Sequence, residues 1–151
     1  MKIVVGADHI GLPLKDVVRD HLKSLGIEVV DFGVNSPEPV DYPEIAHRLA
    51  LAVAAGEFER GVLVCGTGIG MQIVANKIPG IRAAVCHDPY SAERARGSND
   101  AQILTMGARV IGSELAKKVI DAWLATEFQG GTSAPKLAQI NQIDTLYRKA
   151  L

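Results

Sequence analysis

Six consecutive residues, Cys65-Gly66-Thr67-Gly68-Ile69-Gly70, carry the densest chemical signal in this chain. Three glycines in five positions let the backbone turn tightly and approach a ligand without β-carbon obstruction. Successive N–H groups along such a turn, with the helix expected behind it, form a cradle for negative charge. Cys65 stands at the rim of that cradle. A thiol near a helix N-terminus has its thiolate favoured, and the thiolate is the form that acts as base or nucleophile. A base beside an oxyanion cradle suits proton abstraction next to a carbonyl. A cysteine seen alone is more often a small core residue; the turn that follows at once lifts Cys65 above that reading. Cys86 has no such turn and is read as core.

Other ligand motifs fit poorly. A dinucleotide fingerprint G-x-G-x-x-G follows a first strand, whereas this turn follows a third, and Met71 stands at its last glycine position. Gly6 and Gly11 have the outer spacing of a P-loop, but Leu12-Pro13 occupy the Lys-Ser/Thr positions. A G-x-S-x-G elbow with Cys65 as nucleophile needs glycine at Leu63. No H-E-x-x-H or clustered Cys/His set suggests a metal site. Asp8-His9 reads first as a cap of the first helix, and Asp41-Tyr42-Pro43 reads as readily as a capping Asp before a proline-started helix as it does a ligand contact. His21 and His47 lie on polar helix faces, and Arg94, Arg96 and Arg82 read as exposed charges. Arg109 falls in a loop at the expected ligand rim.

The elements that must position these groups follow from periodicity. Short apolar runs at residues 3–5, 27–32, 61–65, 81–86 and 103–106 read as strands. Amphipathic stretches at 12–25, 42–55, 70–77, 89–96, 113–124 and 135–149 read as helices. Gly26 stops the first helix, Pro43 suits the first turn of the second, and Asp88-Pro89 starts the fourth. Thr132 or Ser133 would cap the last. Strands that are apolar throughout, each followed by a helix, imply a parallel sheet covered on both faces. The expected fold is α/β, an open doubly wound, Rossmann-like sheet of five parallel strands. Such sheets bind ligands beyond the carboxyl ends of their strands. The last helix has no strand to return to, and either packs on the sheet or contacts a partner subunit.

Composition sets outer bounds. The 151 residues suit one domain, which at this length buries roughly 70% of its unfolded surface. Sixteen basic against 17 acidic residues leave a formal charge of −1, without the basic stripe of a nucleic-acid binder. No apolar run approaches the ~20 residues of a membrane span, and Asp8 interrupts the first apolar run before it could serve as a signal peptide. Two cysteines are too few for a disulfide scaffold, so a reduced, cytoplasmic setting is expected.

Together these segments resemble the type B ribose-5-phosphate isomerases and their relatives, the galactose-6-phosphate isomerase subunits. The resemblance is carried by Gly6-Ala7-Asp8-His9, Asp41-Tyr42-Pro43, the Cys65–Gly70 turn, Ala75-Asn76-Lys77, Pro79-Gly80-Ile81-Arg82-Ala83 and Gly107-Ala108-Arg109-Val110-Ile111-Gly112, and runs from residue 1 to about Gly131. It implies aldose–ketose interconversion through a cis-enediolate, with no metal and no cofactor. Cys65 would be the base, and the N–H groups of Gly66, Gly68, Ile69 and Gly70 would stabilise the enediolate oxygen. Thr67 and Asp41 would assist proton movement; Asp8, Tyr42 and Asn99 would contact the sugar, and His9 and Arg109 the phosphate. The resemblance further implies a homodimer or homotetramer whose active site is shared between subunits, the C-terminal helix crossing over.

Three positions depart from the family pattern. Ser98 stands where the family has a ring-opening histidine, and Thr132 and Lys136 replace two phosphate-binding arginines. Lysine supplies a point charge and not a bidentate fork. The expected substrate is ribose 5-phosphate. A tetrose 4-phosphate is the alternative: its O4 is esterified, so it closes no furanose ring and needs no ring-opening histidine. A non-catalytic module binding a sugar phosphate or nucleotide is the reading from another class.

Overall fold

The computed structural model describes residues 1–149. Strands β1 (Lys2–Ala7), β2 (Glu28–Asp31), β3 (Arg60–Cys65), β4 (Ala83–Val85) and β5 (Ile103–Gly107) alternate with helices α1 (Leu12–Ser24), α2 (Tyr42–Ala54), α3 (Ile69–Ala75), α4 (Pro89–Gly97) and α5 (Ser113–Leu124). A short 3-10 turn at Gly131–Ser133 leads into α6 (Ala134–Lys149). The strands form one parallel sheet in the order β2-β1-β3-β5-β4.

The layers follow from the hand of the crossovers. Right-handed connections place α1 and α4, which return the chain towards β2 and β5, on one face, together with α5. There Leu14, Val18, Leu22, Ala92, Ala95, Val119, Ile120 and Trp123 pack on Ile3, Val5, Val62, Val64, Leu104 and Met106. The helices α2 and α3 run the other way across the sheet and cover the opposite face. Ile45, Leu49, Val53, Met71 and Ala75 meet Val4, Leu63 and Ile103 there. Every residue of β3 and β5 is buried, and apart from Arg60 and Thr105 those strands are apolar without alternation.

Helix ends match the expected chemistry. Leu25 is the C-cap of α1, and Gly26 follows with φ +76°. The Asp88 carboxylate accepts the Ser91 N–H at 2.7 Å and so caps α4.

The structure departs from expectation near β4. That strand spans three residues, where an apolar run of six suggested more. Its outer edge pairs with no strand. Instead the Asn76 side chain accepts from Ala83 N–H and donates to Ala83 C=O, both at 2.8 Å, and Gln72 accepts from Val85 N–H. One amide on α3 and one just past its end therefore satisfy an edge that would otherwise template further pairing. The helix α6 does not pack on the sheet faces. It lies beside the loop before β4, where Asp144 accepts from Gly80 N–H at 3.0 Å, and it leaves Ile143, Leu146 and Tyr147 exposed.

Candidate active site

The chain steps from β1 out to β2 and then back past β1 to β3, so the strand order reverses between β1 and β3. The loops after these two strands flank the resulting crevice, where doubly wound sheets bind ligands. The first carries Asp8 and His9, the second the cysteine–glycine turn.

The turn is built tightly against β5. Gly68 has φ +78°, and a β-carbon there would lie 2.8 Å from the Met106 carbonyl carbon, so no other residue fits. Thr105 Oγ1 donates to Gly68 C=O at 2.8 Å, while Ala108 and Arg109 N–H donate to the carbonyls of Cys65 and Gly66 at 2.8 and 3.0 Å. The Cys65, Gly66 and Gly68 carbonyls are thus tied down, and of the turn N–H groups expected to hold an oxyanion those of Gly68 and Ile69 are already donated, to Cys65 Sγ and Thr67 Oγ1, which leaves Gly66 and Gly70 for a ligand. Cys65 is 5% exposed and packs with the apolar residues of the α2–α3 face. Its sulfur is nonetheless polar in its bonding, since Sγ accepts the Gly68 N–H at 3.1 Å. A donor aimed at sulfur stabilises negative charge on it. Cys86, by contrast, is a core thiol that burial and then the Asp88 carboxylate push up to about 12.

The remaining groups at this end come from four loops. Asp8 is buried and accepts the Gly11 N–H at 2.8 Å through Oδ1, which shapes the entry to α1 and leaves its other oxygen uncommitted. His9 Nδ1 accepts the Val40 N–H at 3.2 Å, tying the first loop to the one that carries Asp41. Asp41 occupies the N-cap position of α2, yet its side chain makes no capping bond and is exposed. The capping alternative therefore fails for Asp41. The Tyr42 ring lies against Gly70, and the Arg109 stem lies over Gly66. Thr67 is exposed and its Oγ1 accepts the Ile69 N–H at 3.3 Å.

Ser98, Asn99 and Lys136 are elsewhere. Helix α4 runs back from the carboxyl end of β4, so Ser98 and Asn99 follow it at the amino ends of the strands. There Arg82 Nε donates to the Asn99 and Asp100 carbonyls at 3.0 and 3.1 Å, and Arg82 Nη1 reaches Asn141 on α6 at 3.2 Å. Lys136, near the start of α6, belongs to the same end. Six residues of β3 at ~3.3 Å each put this end on the order of 20 Å from Cys65. One chain thus brings Cys65, Thr67, Asp8, His9, Asp41, Tyr42, Arg109 and the turn glycines together, and holds Ser98, Asn99 and Lys136 apart from them.

Several charged residues differ from their sequence reading. Arg82 is a half-buried hub, and Arg96 is 7% exposed, bonded to Asp100 and to the Ala101 carbonyl. His21 is paired with Asp121 at 2.6 Å. Lys15, to which sequence reading assigned no role, is fully buried; its ammonium donates to Asp31, the Val34 carbonyl and Asn35. Burial pushes the Asp31 carboxyl up, but Lys15, the Gly33 N–H and Arg19 outweigh it and hold Asp31 below the usual carboxylate value. The sequence signal was available: residues 15, 18 and 22 share the apolar face of α1. Among the described residues no three His, Cys, Asp or Glu side chains converge as metal donors.

Residues 3–140 match the family model described as Ribose/Galactose Isomerase. The chain belongs to that family. It is 54% identical over 144 residues to the ribose-5-P isomerase B of Listeria innocua, covering 95% of this chain and 97% of that one. It is 53% identical over 141 residues to a D-erythrulose-4-phosphate isomerase of Pectobacterium atrosepticum, covering 93% of each. Among solved structures, the ribose-5-phosphate isomerase B of Clostridium thermocellum superposes with a TM-score of 0.95 at 50% identity, over 97% of this chain and 99% of that one. The ribose/galactose isomerase family thus accounts for the fold from β1 into α6, and the two relatives just given are named as isomerases of a pentose phosphate and of a tetrose phosphate.

Proposed function

We propose that this chain is an aldose–ketose isomerase for a short phosphorylated sugar, acting as one domain, with Cys65 as the base. The observation that carries the reading is the Gly68 N–H on Cys65 Sγ within a turn whose Cys65, Gly66 and Gly68 carbonyls are already tied to β5 and the loop after it. The thiolate removes the proton from C2 of the aldose, and the electron pair of that C–H bond becomes the C1–C2 double bond of an enediolate. The Gly66 and Gly70 N–H groups, which the turn itself does not use, meet the oxygen that gains charge; one such donor contributes roughly 3 kcal/mol to the barrier. Thr67 and Asp41 move the proton between O1 and O2, and Cys65 returns a proton to C1. His9 and Arg109 bind the phosphate, with Asp8 and Tyr42 on the sugar.

The separation of Ser98, Asn99 and Lys136 from Cys65 supports a site shared between two copies, in a homodimer or homotetramer in which each copy lends these residues to the other. Its paired-thiol-free chemistry suits a reducing, cytoplasmic setting.

Ribose 5-phosphate is the substrate we favour. A tetrose 4-phosphate is the second reading, supported by two observations: Ser98 is a serine whose hydroxyl accepts from Arg94, and one close relative is a D-erythrulose-4-phosphate isomerase. The test is turnover of ribose 5-phosphate and of erythrulose 4-phosphate by wild type and Cys65→Ala, with deuterium exchange in heavy water read at C2 of the aldose and at C1 of the ketose. Cys65→Ala should fold normally and lose both turnover and exchange. Wild-type rates in that variant would rule out the thiol as base, and a wild type that exchanges no deuterium would mark a binding module.

A further inference from the structure

Helix α3 starts at the glycine turn, but the turn rests on the end of β5, and that seat needs a support of its own. A β-carbon on Gly107 would lie 2.7 Å from the Gly66 carbonyl oxygen and 2.7 Å from Thr67 Cα, so Gly107 is the surface on which the turn sits. On its other side Gly107 should bond to β4. That strand ends at Val85, paired with Thr105, and the last ladder bond is Cys86 N–H to the Thr105 carbonyl at 3.0 Å. The next N–H along β5 is that of Gly107, and no β4 carbonyl takes it. His87 does: its Nε2 accepts the Gly107 N–H at 2.9 Å.

We propose that His87 is a positioning residue for the Cys65–Gly70 turn, its neutral imidazole standing in for the missing strand carbonyl and fixing Gly107 beneath Gly66 and Thr67. The proposal rests on the reading of that turn as the oxyanion cradle. Because a ring nitrogen that accepts must be unprotonated, the support exists only while the imidazole is neutral. Burial lowers the His87 pKa from its ordinary value and keeps the ring neutral to lower pH. The ionisable groups on the surrounding elements are Asp88 beside it, Tyr90, Glu93, Arg94 and Arg96 on α4, Cys65 at the end of β3 and Arg109 beyond β5. Of these, the Asp88 carboxylate acts on the ring, and it favours the proton. Asp88 is in turn occupied by the Ser91 N–H. Protonation of His87 would turn the acceptor into a donor facing a donor and release Gly107.

The experiment compares full-length wild type, His87→Gln and His87→Leu, using ribose 5-phosphate and erythrulose 4-phosphate. Glutamine carries an amide near the position of Nε2 and can accept the same N–H; leucine fills the space and accepts nothing. The expected result is a kcat for His87→Leu reduced about 30-fold with KM little changed, since sub-ångström misplacement of a reacting group costs rates of that order. His87→Gln should recover most of the loss. The wild-type kcat profile should bend downward at a pH below the ordinary imidazole value of about 6.5, and the glutamine variant should lack that bend. Imidazole 15N NMR of the wild type should show Nδ1 protonated and Nε2 accepting at neutral pH. Wild-type kcat in His87→Leu, an acid bend retained in His87→Gln, or Nε2 protonated at neutral pH would each overturn the proposal. Should the leucine variant not fold, the glutamine profile and the NMR decide. A wild type inactive on both sugars would instead strike at the isomerase reading, while the NMR still tests the latch.

Discussion

The Tyr42 ring occupies the space into which a β-carbon on Gly70 would project, 2.6 Å from the tyrosine Oη. At the N-terminal ends of thirteen-residue α2 and seven-residue α3, the two helices therefore meet through one aromatic ring and one missing side chain. The contact sets how far Tyr42 leans over the turn, and it couples the Asp41 loop to the Cys65 loop. Gly70→Ala should push the ring away and lower kcat/KM by about tenfold, the cost of a modest displacement at a reacting centre. The double variant Gly70→Ala/Tyr42→Ala should fold as well as Tyr42→Ala alone. Steady-state kinetics and thermal melts check both; an unchanged kcat/KM for Gly70→Ala would mean that the ring position is immaterial.

A site completed by a second copy has a signature that a self-contained site lacks. Cys65→Ala and Asn99→Ala homomers should each be nearly inactive. Mixing, unfolding and refolding them together should restore on the order of a quarter of wild-type activity, because half the dimers are mixed and one of their two sites is intact. Recovery no greater than the two residual activities combined would show that Asn99 acts in its own chain or not at all.

Fully buried Lys15 and half-buried Asp31 form a pair whose loss should be felt first as stability. Lys15→Met leaves the Asp31 carboxylate with Arg19 and the Gly33 N–H as its remaining partners, which costs about 1–3 kcal/mol at neutral pH, less than stranding a fully buried charge. Asp31 is held below its unfolded value of about 3.9, so its stabilising contribution is present above that value and is lost as pH falls through the depressed native pKa. The gap between wild type and Lys15→Met should therefore narrow in acid. Urea unfolding across the pH range measures this, and a gap that stays constant would remove Asp31 from the account. Lys15 also holds the Val34 carbonyl and Asn35, so the variant should disturb the loop leading to Asp41.

The two thiols should differ in chemistry although both are buried. With its pKa pushed up to about 12, Cys86 at pH 8 is thiolate in roughly one molecule in ten thousand. Iodoacetamide should modify Cys65 first, in step with loss of turnover, and phosphosugar should protect it. Peptide mass spectrometry reads the site; Cys86 labelled at the same rate would contradict the assignment of the polar environment to Cys65 alone.

The order of strands and helices, the stop at Gly26, the Asp88 cap and the place of the glycine turn at a strand end were all legible in the amino-acid sequence. Each rests on local causes: side-chain period, capping chemistry and the φ range open to glycine. Where several charged residues lie was not. Arg82 and Arg96 looked like exposed helix charges because their partners, Asn99, Asp100, Asn141 and the Ala101 carbonyl, are brought together only by the return of α4 and the placement of α6. The shortness of β4 escaped the apolar run at 81–86, since Asn76 and Gln72 cap an edge that no local pattern announces.

By itself the sequence determined that a cysteine and a glycine turn stand together at the carboxyl end of a parallel strand, because adjacency in the chain is adjacency in space across six residues. Only the tertiary structure decided that Ser98, Asn99 and Lys136 lie at the opposite end of the sheet, and that His87 supports Gly107. Those relations depend on strand order and on the direction in which each helix returns, and such facts belong to the whole fold and to no segment of it.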